Sequence, residues 1–402
     1  MSRAVYAFKP YNVGRWLIWS LFAVLLLVAP LAFKSNLAHS MLSQMGIAII
    51  ACLSYNLLLG QGGMLSFGHA VYTGLGGYLA MHALNAVSAG SLSLPVSLIP
   101  LVGGAGGLFF ACLLGYVTTR KSGTTFAMIT LGMAELVSAM SLMFSEFFGG
   151  EAGVSGNRVA GAPFLGINFG PQIQVYYLIA LYTFVCVALL FAFTRTPLGR
   201  MLNAVRDNPE RVEFIGYNTQ HVRYLAFMIA GFFSGIAGGL GALNFEIVTA
   251  EVVGAARSGA YLLFTFLGGA TFFFGPIIGA VLMILASVLL SELTKAWLLY
   301  LGLVFLFMVM YAPGGMASLI MMNLRVASFG HLRRLWVAYV GLGALATLAL
   351  LSAGAWIEMV YHLQLNAALG PTLRYAGLTL DALSVRSWFG AGFVLLTALG
   401  CW

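Results

Sequence analysis

Charge is the scarcest ingredient of this chain. Eleven acidic and nineteen basic residues serve 402 positions, or 7%. A soluble globular domain carries about 25% charged residues, so that class is excluded. Cysteine is scarce as well. Cys52, Cys112, Cys186 and Cys401 lie in or beside apolar segments and form no CxxC pair. Neither a disulfide framework nor a zinc site is supported. The six histidines are scattered, without HExxH or comparable metal spacing. A phosphate loop is missing too. GYVTTRKS at 115–122 approaches G-x4-G-K-[ST], but Arg120 stands where the second glycine is needed. Without that glycine the backbone N–H groups cannot wrap a phosphate. No enzymatic constellation is visible, so the chain itself reads as non-catalytic, with no cofactor and no metal.

What is abundant is apolar. Hydrophobic residues make up 61% of the chain, and aromatics 13%. Long runs of roughly 20 such residues mark membrane helices. Ten candidate spans follow: 16–33, 41–59, 64–86, 95–118, 124–147, 174–194, 223–245, 258–275, 276–293 and 295–311. The stretch 258–293 is tight for two spans and allows a broken helix. Trp336 to Gly354 offers an eleventh span and 383–402 a short twelfth. The first run is too long for a signal-peptide core and has no small-x-small cleavage site, so it reads as a span.

The formal net charge of +8 invites a nucleic-acid partner. The positive residues lie between apolar runs, however, and read better as topology signals. With the N-terminus in the cytoplasm, the loops carrying Arg120 and Lys121, and the arginines of 195–222, fall inside. Arg325, Arg333 and Arg334 also fall inside, while the more acidic loops 148–173 and 246–257 fall outside. A weak internal repeat aligns SFGHAVYTGLGG (66–77) with SGAYLLFTFLGG (258–269). These segments belong to the third and eighth spans, so the copies would run in opposite directions, as inverted repeats do in transporters. The chain's 49 glycines suit close helix approach and broken helices around a cavity.

One segment breaks the scarcity of charge. RTPLGRMLNAVRDNPERVEFIGYN (195–218) carries seven charged residues. Thr196-Pro197 reads as a hydroxyl cap followed by proline at the first helical position. Leu198, Met201, Leu202 and Val205 recur at helical spacing, and the helix should stop near Asp207. Asn208-Pro209 repeats the signal. Glu210 suits a helix N-terminus, Val212 and Ile215 form an apolar side, and Gly216 is a stop. Two short amphipathic helices are therefore expected. They either rest on lipid headgroups or enter a groove on a soluble partner. A pair of caps with charges of both signs favours the partner.

These residues resemble the membrane permeases of ABC importers for branched-chain amino acids, specifically the M-type subunit. The resemblance rests on NLLLGQGGMLSFGHAVYTGLGGY (56–78), TLGMAELV (130–137), GGEAGVSG (149–156), the charged segment with its continuation to 227, and GGATFFFGPIIGA (268–280). It covers roughly residues 40–320. Thr271-Phe272 departs from the family's usual Gly-Thr.

The resemblance implies an all-α polytopic membrane protein with about ten core helices in two inverted five-helix repeats. A permease domain would span 1–330 and an extension 331–402. The implied setting is the bacterial cytoplasmic membrane. The implied partners are an H-type permease, two cytoplasmic ATPases and an extracytoplasmic substrate-binding protein. Contacts to an ATPase would come from Arg200, Leu202, Val205, Arg206, Asp207, Glu210 and Arg211, with Leu202 and Val205 as a buried ridge. Pathway candidates are Ser66, His69, Thr73, Glu135, Ser258 and Thr265. Glu135 is the one carboxylate deep in an expected span, where an unpaired charge is costly. It should face the protein interior or water, and a structural hydrogen bond is its first reading, as it is for His69. Three alternatives stay open: a proton-coupled carrier using Glu135, a passive channel, and an ABC permease for urea or amides.

Overall fold

In a computed structural model of the chain, residues 13–400 are described apart from 160–167, 313, 331, 366–369, 371 and 376–377. The fold is all-α and polytopic. In chain order the helices are α1 (Val13–Ala32), α2 (Asn36–Asn56), α3 (His69–Ser88), α4 (Ile99–Thr118), α5 (Gly123–Met143) and the short α6 (Ser145–Phe148). Next come α7 (Gln172–Arg195), α8 (Pro197–Asp207), α9 (Pro209–Phe214), α10 (Thr219–Phe245) and α11 (Ala255–Gly268). The last five are α12 (Gly275–Leu293), α13 (Trp297–Tyr311), α14 (Gly315–Ser328), α15 (Leu332–Leu365) and α16 (Val385–Gly400). Among the described residues, seven helices are long and apolar enough to cross a membrane, or eight if the bent pair of α13 and α14 is one span. Most expected spans sit within a few residues of an observed helix.

Two expected spans differ in an informative way. The third was expected to start at residue 64, but α3 begins at His69. Residues 62–68 are not helical because Gly63 takes a left-handed φ of 63°. The Thr130 hydroxyl then accepts the Phe67 N–H at 3.1 Å. The eighth span shrinks to the 14 residues of α11. The chain breaks at Gly269, with φ 108°, and turns into α12. The stretch 258–293 thus holds a break, as its tightness allowed.

The contacts divide the chain into two compact units. The first comprises Met1–Leu285 and Met308–Ala317. Its axis is α10, 27 residues long, packed against α4, α3 and α2. Small residues make the seam. A Cβ on Gly235 would come within 2.9 Å of the Gly107 Cα. Helix backbones meet this closely only where side chains are absent. Strand β1 (Val154–Ser155), in the glycine-rich loop, pairs antiparallel with β2 (Ile247–Val248), just after α10. The second unit comprises Ala286–Phe307 and Ser318–Trp402. Its helices α15 and α16 pack together, and β3 (Thr372–Tyr375) forms an antiparallel ribbon with β4 (Leu378–Asp381). The Glu358 carboxylate accepts hydrogen bonds from the Tyr300 and Thr294 hydroxyls there.

Candidate functional site

The two repeat segments meet inside the first unit. Each runs along a helix preceded by an interruption: residues 62–68 before α3, and 246–254, with β2 and one short 3-10 turn, before α11. The Ser258 hydroxyl, in the first turn of α11, accepts the Ala70 N–H of α3 at 3.0 Å. Ser258 of one segment thereby caps the helix that carries the other. The first amides of a helix have no partner within it, and a serine oxygen satisfies one.

Most of the expected pathway residues gather around this junction. Ser66, His69, Ser258 and Thr265 have no solvent exposure, and Thr73 has 3%. His69 Nε2 lies 2.6 Å from the Ser54 hydroxyl. The Thr73 and Ser234 hydroxyls are 2.6 Å apart, tying α3 to α10. Thr265 donates to the Cys52 carbonyl at 3.4 Å. Burial without a bond is costly for such groups, which is why they pair across helices. Ser66 Oγ and His69 Nδ1 have no hydrogen-bond partner among the described residues. The Tyr55 ring stands edge-on to His69, with centroids 5.3 Å apart.

Glu135 lies elsewhere. It is exposed on α5, beside the exposed Gly132 and Leu136. The structural hydrogen bond expected of it is not formed with the described residues, because its helix face turns away from this bundle.

At the other end of α10 stand α8 and α9, built as the caps require. Thr196 Oγ1 accepts the Gly199 N–H at 3.2 Å, and Asn208 Oδ1 accepts the Arg211 N–H at 3.0 Å. Gly216 ends the segment with φ 90°. The faces differ from expectation. Leu202 and Val205 are 0% and 2% exposed, buried in this chain's own core. Their ridge is therefore covered by the chain itself and not offered to a partner. Ile215, expected on the apolar side with Val212, points outward, because α9 ends at Phe214 before Ile215 can complete the stripe. Phe214 is 87% exposed and Ile215 66%. Arg200, Asp207, Glu210 and Arg211 of the same segment are exposed as well.

Arg206 faces two ways. It pairs with Asp207 at 2.9 Å and donates to the Gly60 carbonyl. Gly60 lies in the π-turn Leu57–Gln61 that prolongs α2. Asn203 donates to Gln61 Oε1 in the same turn at 2.8 Å. A Cβ on Gly63 would sit 2.7 Å from the Arg206 Cγ. Helix α8 is thus bolted to the segment that leads into α3.

Charge counting gave Arg158, in the outer loop 148–173, no role in the site. Its guanidinium donates to the Gly170 carbonyl at 3.1 Å and the Asn244 carbonyl at 3.3 Å. It closes the end of α10 opposite α8. A lone arginine in a loop gave no signal of this.

The chain resembles known permeases over most of its length. The model of the family described as the branched-chain amino acid transport system permease component matches residues 37–313. The high-affinity branched-chain amino acid transport system permease protein LivM of Salmonella typhimurium is 28% identical over 303 residues, 70% of each chain. LivM of Escherichia coli is 27% identical over 292 residues, 67% of each chain. The fructose import permease FrcC of Rhizobium meliloti is 26% identical over 197 residues, 44% of this chain and 53% of its own. No solved structure matches. With more than half its length matched by the family model, the chain belongs to the branched-chain amino acid transport permease family.

Proposed function

We propose that this chain is the M-type permease subunit of an ABC importer, carrying branched-chain amino acids across the bacterial inner membrane. Its partners are an H-type permease, two cytoplasmic ATPases and an external binding protein. The observation that carries the reading is the α8–α9 hook. Phe214 and Ile215 make an exposed apolar tip on a segment whose Arg200, Asp207, Glu210 and Arg211 are exposed too. Such a tip fits a groove on a soluble partner. The positive-inside pattern supports a cytoplasmic position for this hook, within reach of the proposed ATPase.

The geometry supports a route for the stroke. The Arg206 and Asn203 bonds link α8 to the 57–63 turn. That turn leads into the non-helical stretch before α3, whose Ala70 amide rests on Ser258 of α11. Movement of the hook would reach the junction of the two repeats through a short chain of bonded groups. Closure of the ATPases then rocks the spans, and the solute crosses by alternating access.

The second permease has its own support. Glu135 sits near the middle of α5 on a face this bundle leaves open. A carboxylate facing lipid at that depth costs about 2.5–3.5 kcal/mol. A neighbouring subunit lowers that cost by offering a polar partner.

The test is purification from membranes in mild detergent, mass spectrometry of what comes along, and reconstitution. An ATPase and a second permease, with ATP-dependent leucine uptake once the binding protein is added, are the expected result. A homo-oligomer that takes up solute without ATP would sink the proposal in favour of a carrier.

A further inference from the structure

A cavity of about 300 Å³ lies at the end of α10 away from α8, bounded by α3, β2 and the start of α11. Small-ligand sites begin at about this size. Its walls are mixed in a specific way. Phe245, Val248 and Val252 give apolar surface, while Glu251 and Arg257 bring opposite charges into the same small space. The two charges face one cavity yet form no ion pair, and Arg257 pairs with no other carboxylate among the described residues. The Arg257 guanidinium lies 5.9 Å from the centre of the Tyr261 ring, which braces it. Arg257 occupies the first turn of α11, where the helix dipole adds to its positive field.

A lone anion would need only the arginine, and a lone cation only the glutamate. A ligand that uses both must carry both charges close together. The apolar wall then accepts an aliphatic side chain. We infer that this cavity is a low-affinity binding site for a zwitterionic aliphatic α-amino acid within the permease itself. Arg257 takes the carboxylate through its planar fork, Glu251 takes the ammonium, and Val248 and Val252 meet the side chain. The inference rests on the proposed function and deepens it. The permease receives the solute from the binding protein at a site of its own, and does not merely open a gap.

The test uses the full chain in nanodiscs without a binding protein. Saturable binding of radiolabelled L-leucine is expected, weakened at least tenfold in Arg257→Gln and in Glu251→Gln. Two probes separate the charges. Leucine amide, which lacks the carboxylate, should bind Arg257→Gln and wild type alike. 4-Methylpentanoate, which lacks the ammonium, should bind Glu251→Gln and wild type alike. Val252→Phe, which fills the cavity and leaves both charges, should also abolish leucine binding. Thermal unfolding of each variant identifies any that fail to fold. Leucine uptake by the reconstituted importer is measured in parallel. Normal uptake with no binding to the chain, or binding unchanged in all three variants, overturns the site and leaves the proposed function standing. A chain that supports no leucine uptake overturns both.

Discussion

Leu202 and Phe214 lie twelve positions apart in one charged segment and have opposite fates. Leu202 is fully buried, with a methyl group 3.2 Å from where a Cβ on Gly62 would sit, whereas Phe214 is 87% exposed. The physics separates what their loss should do. Leu202→Ala removes packed methyl groups and leaves a cavity, at a cost of about 2–5 kcal/mol. Its thermal unfolding temperature should fall, and its amount in the membrane with it. Phe214→Ala uncovers nothing inside the chain, so its stability should change by less than about 0.5 kcal/mol. Leucine uptake should still fall at least tenfold and the ATPase should no longer co-purify, because aromatic anchors carry much of the energy at an interface. Normal uptake by Phe214→Ala at normal membrane levels would refute the docking role of the hook.

At the scale of elements, much was legible because the rules are local. Thr196-Pro197, Asn208-Pro209 and Gly216 marked α8 and α9 to within a residue or two, since caps, proline and left-handed glycine act over one turn. Each cap is worth about 1 kcal/mol, so Thr196→Ala and Asn208→Ala should each lower the unfolding temperature slightly and add when combined. Coincident curves for wild type and the double variant would show that the caps do not hold these helices. Long apolar runs were legible for the same reason, since length and hydropathy need no tertiary knowledge.

Faces were not legible. A helix apolar on all sides hides which side meets protein and which meets lipid. So the outward turn of Glu135 needed the fold, whereas the apolar stripe of α8 was legible and only what covers Leu202 and Val205 was not. The start of α3 was hidden too, because Met64, Leu65 and Phe67 look helical while Gly63 and Thr130 dictate otherwise. The glycines of α10 allow either close packing or a broken helix. The seam at Gly235 shows packing, with neighbouring backbone where a side chain would go. Gly235→Val should force α4 and α10 apart and reduce the folded protein recovered from membranes, measured by detergent size-exclusion chromatography. Unchanged recovery would mean the two helices are not held at this distance.

At the scale of the whole molecule, the open face of α5 sets the last prediction. Met128, Leu136 and Met143 are exposed along this helix together with Glu135. If lipid covered the face, Glu135→Leu would remove a costly charge, and the chain should gain stability without losing partners. If a second permease covers it, Glu135 meets a polar group there, and losing one half of such a pair leaves the other unpaired. A buried group left without its partner costs about 1–3 kcal/mol. Glu135→Leu should then loosen the pair of permeases and lower uptake, while Glu135→Gln, which can still hydrogen-bond, keeps most of both. A cysteine placed at Gly132 should cross-link to the H-type subunit and not to a second copy of this chain. The same two substitutions judge the carrier reading. A carboxylate that ferries protons cannot be replaced by an amide, so uptake that survives Glu135→Gln removes proton coupling and leaves the subunit interface as the reason for a charge in the middle of the membrane.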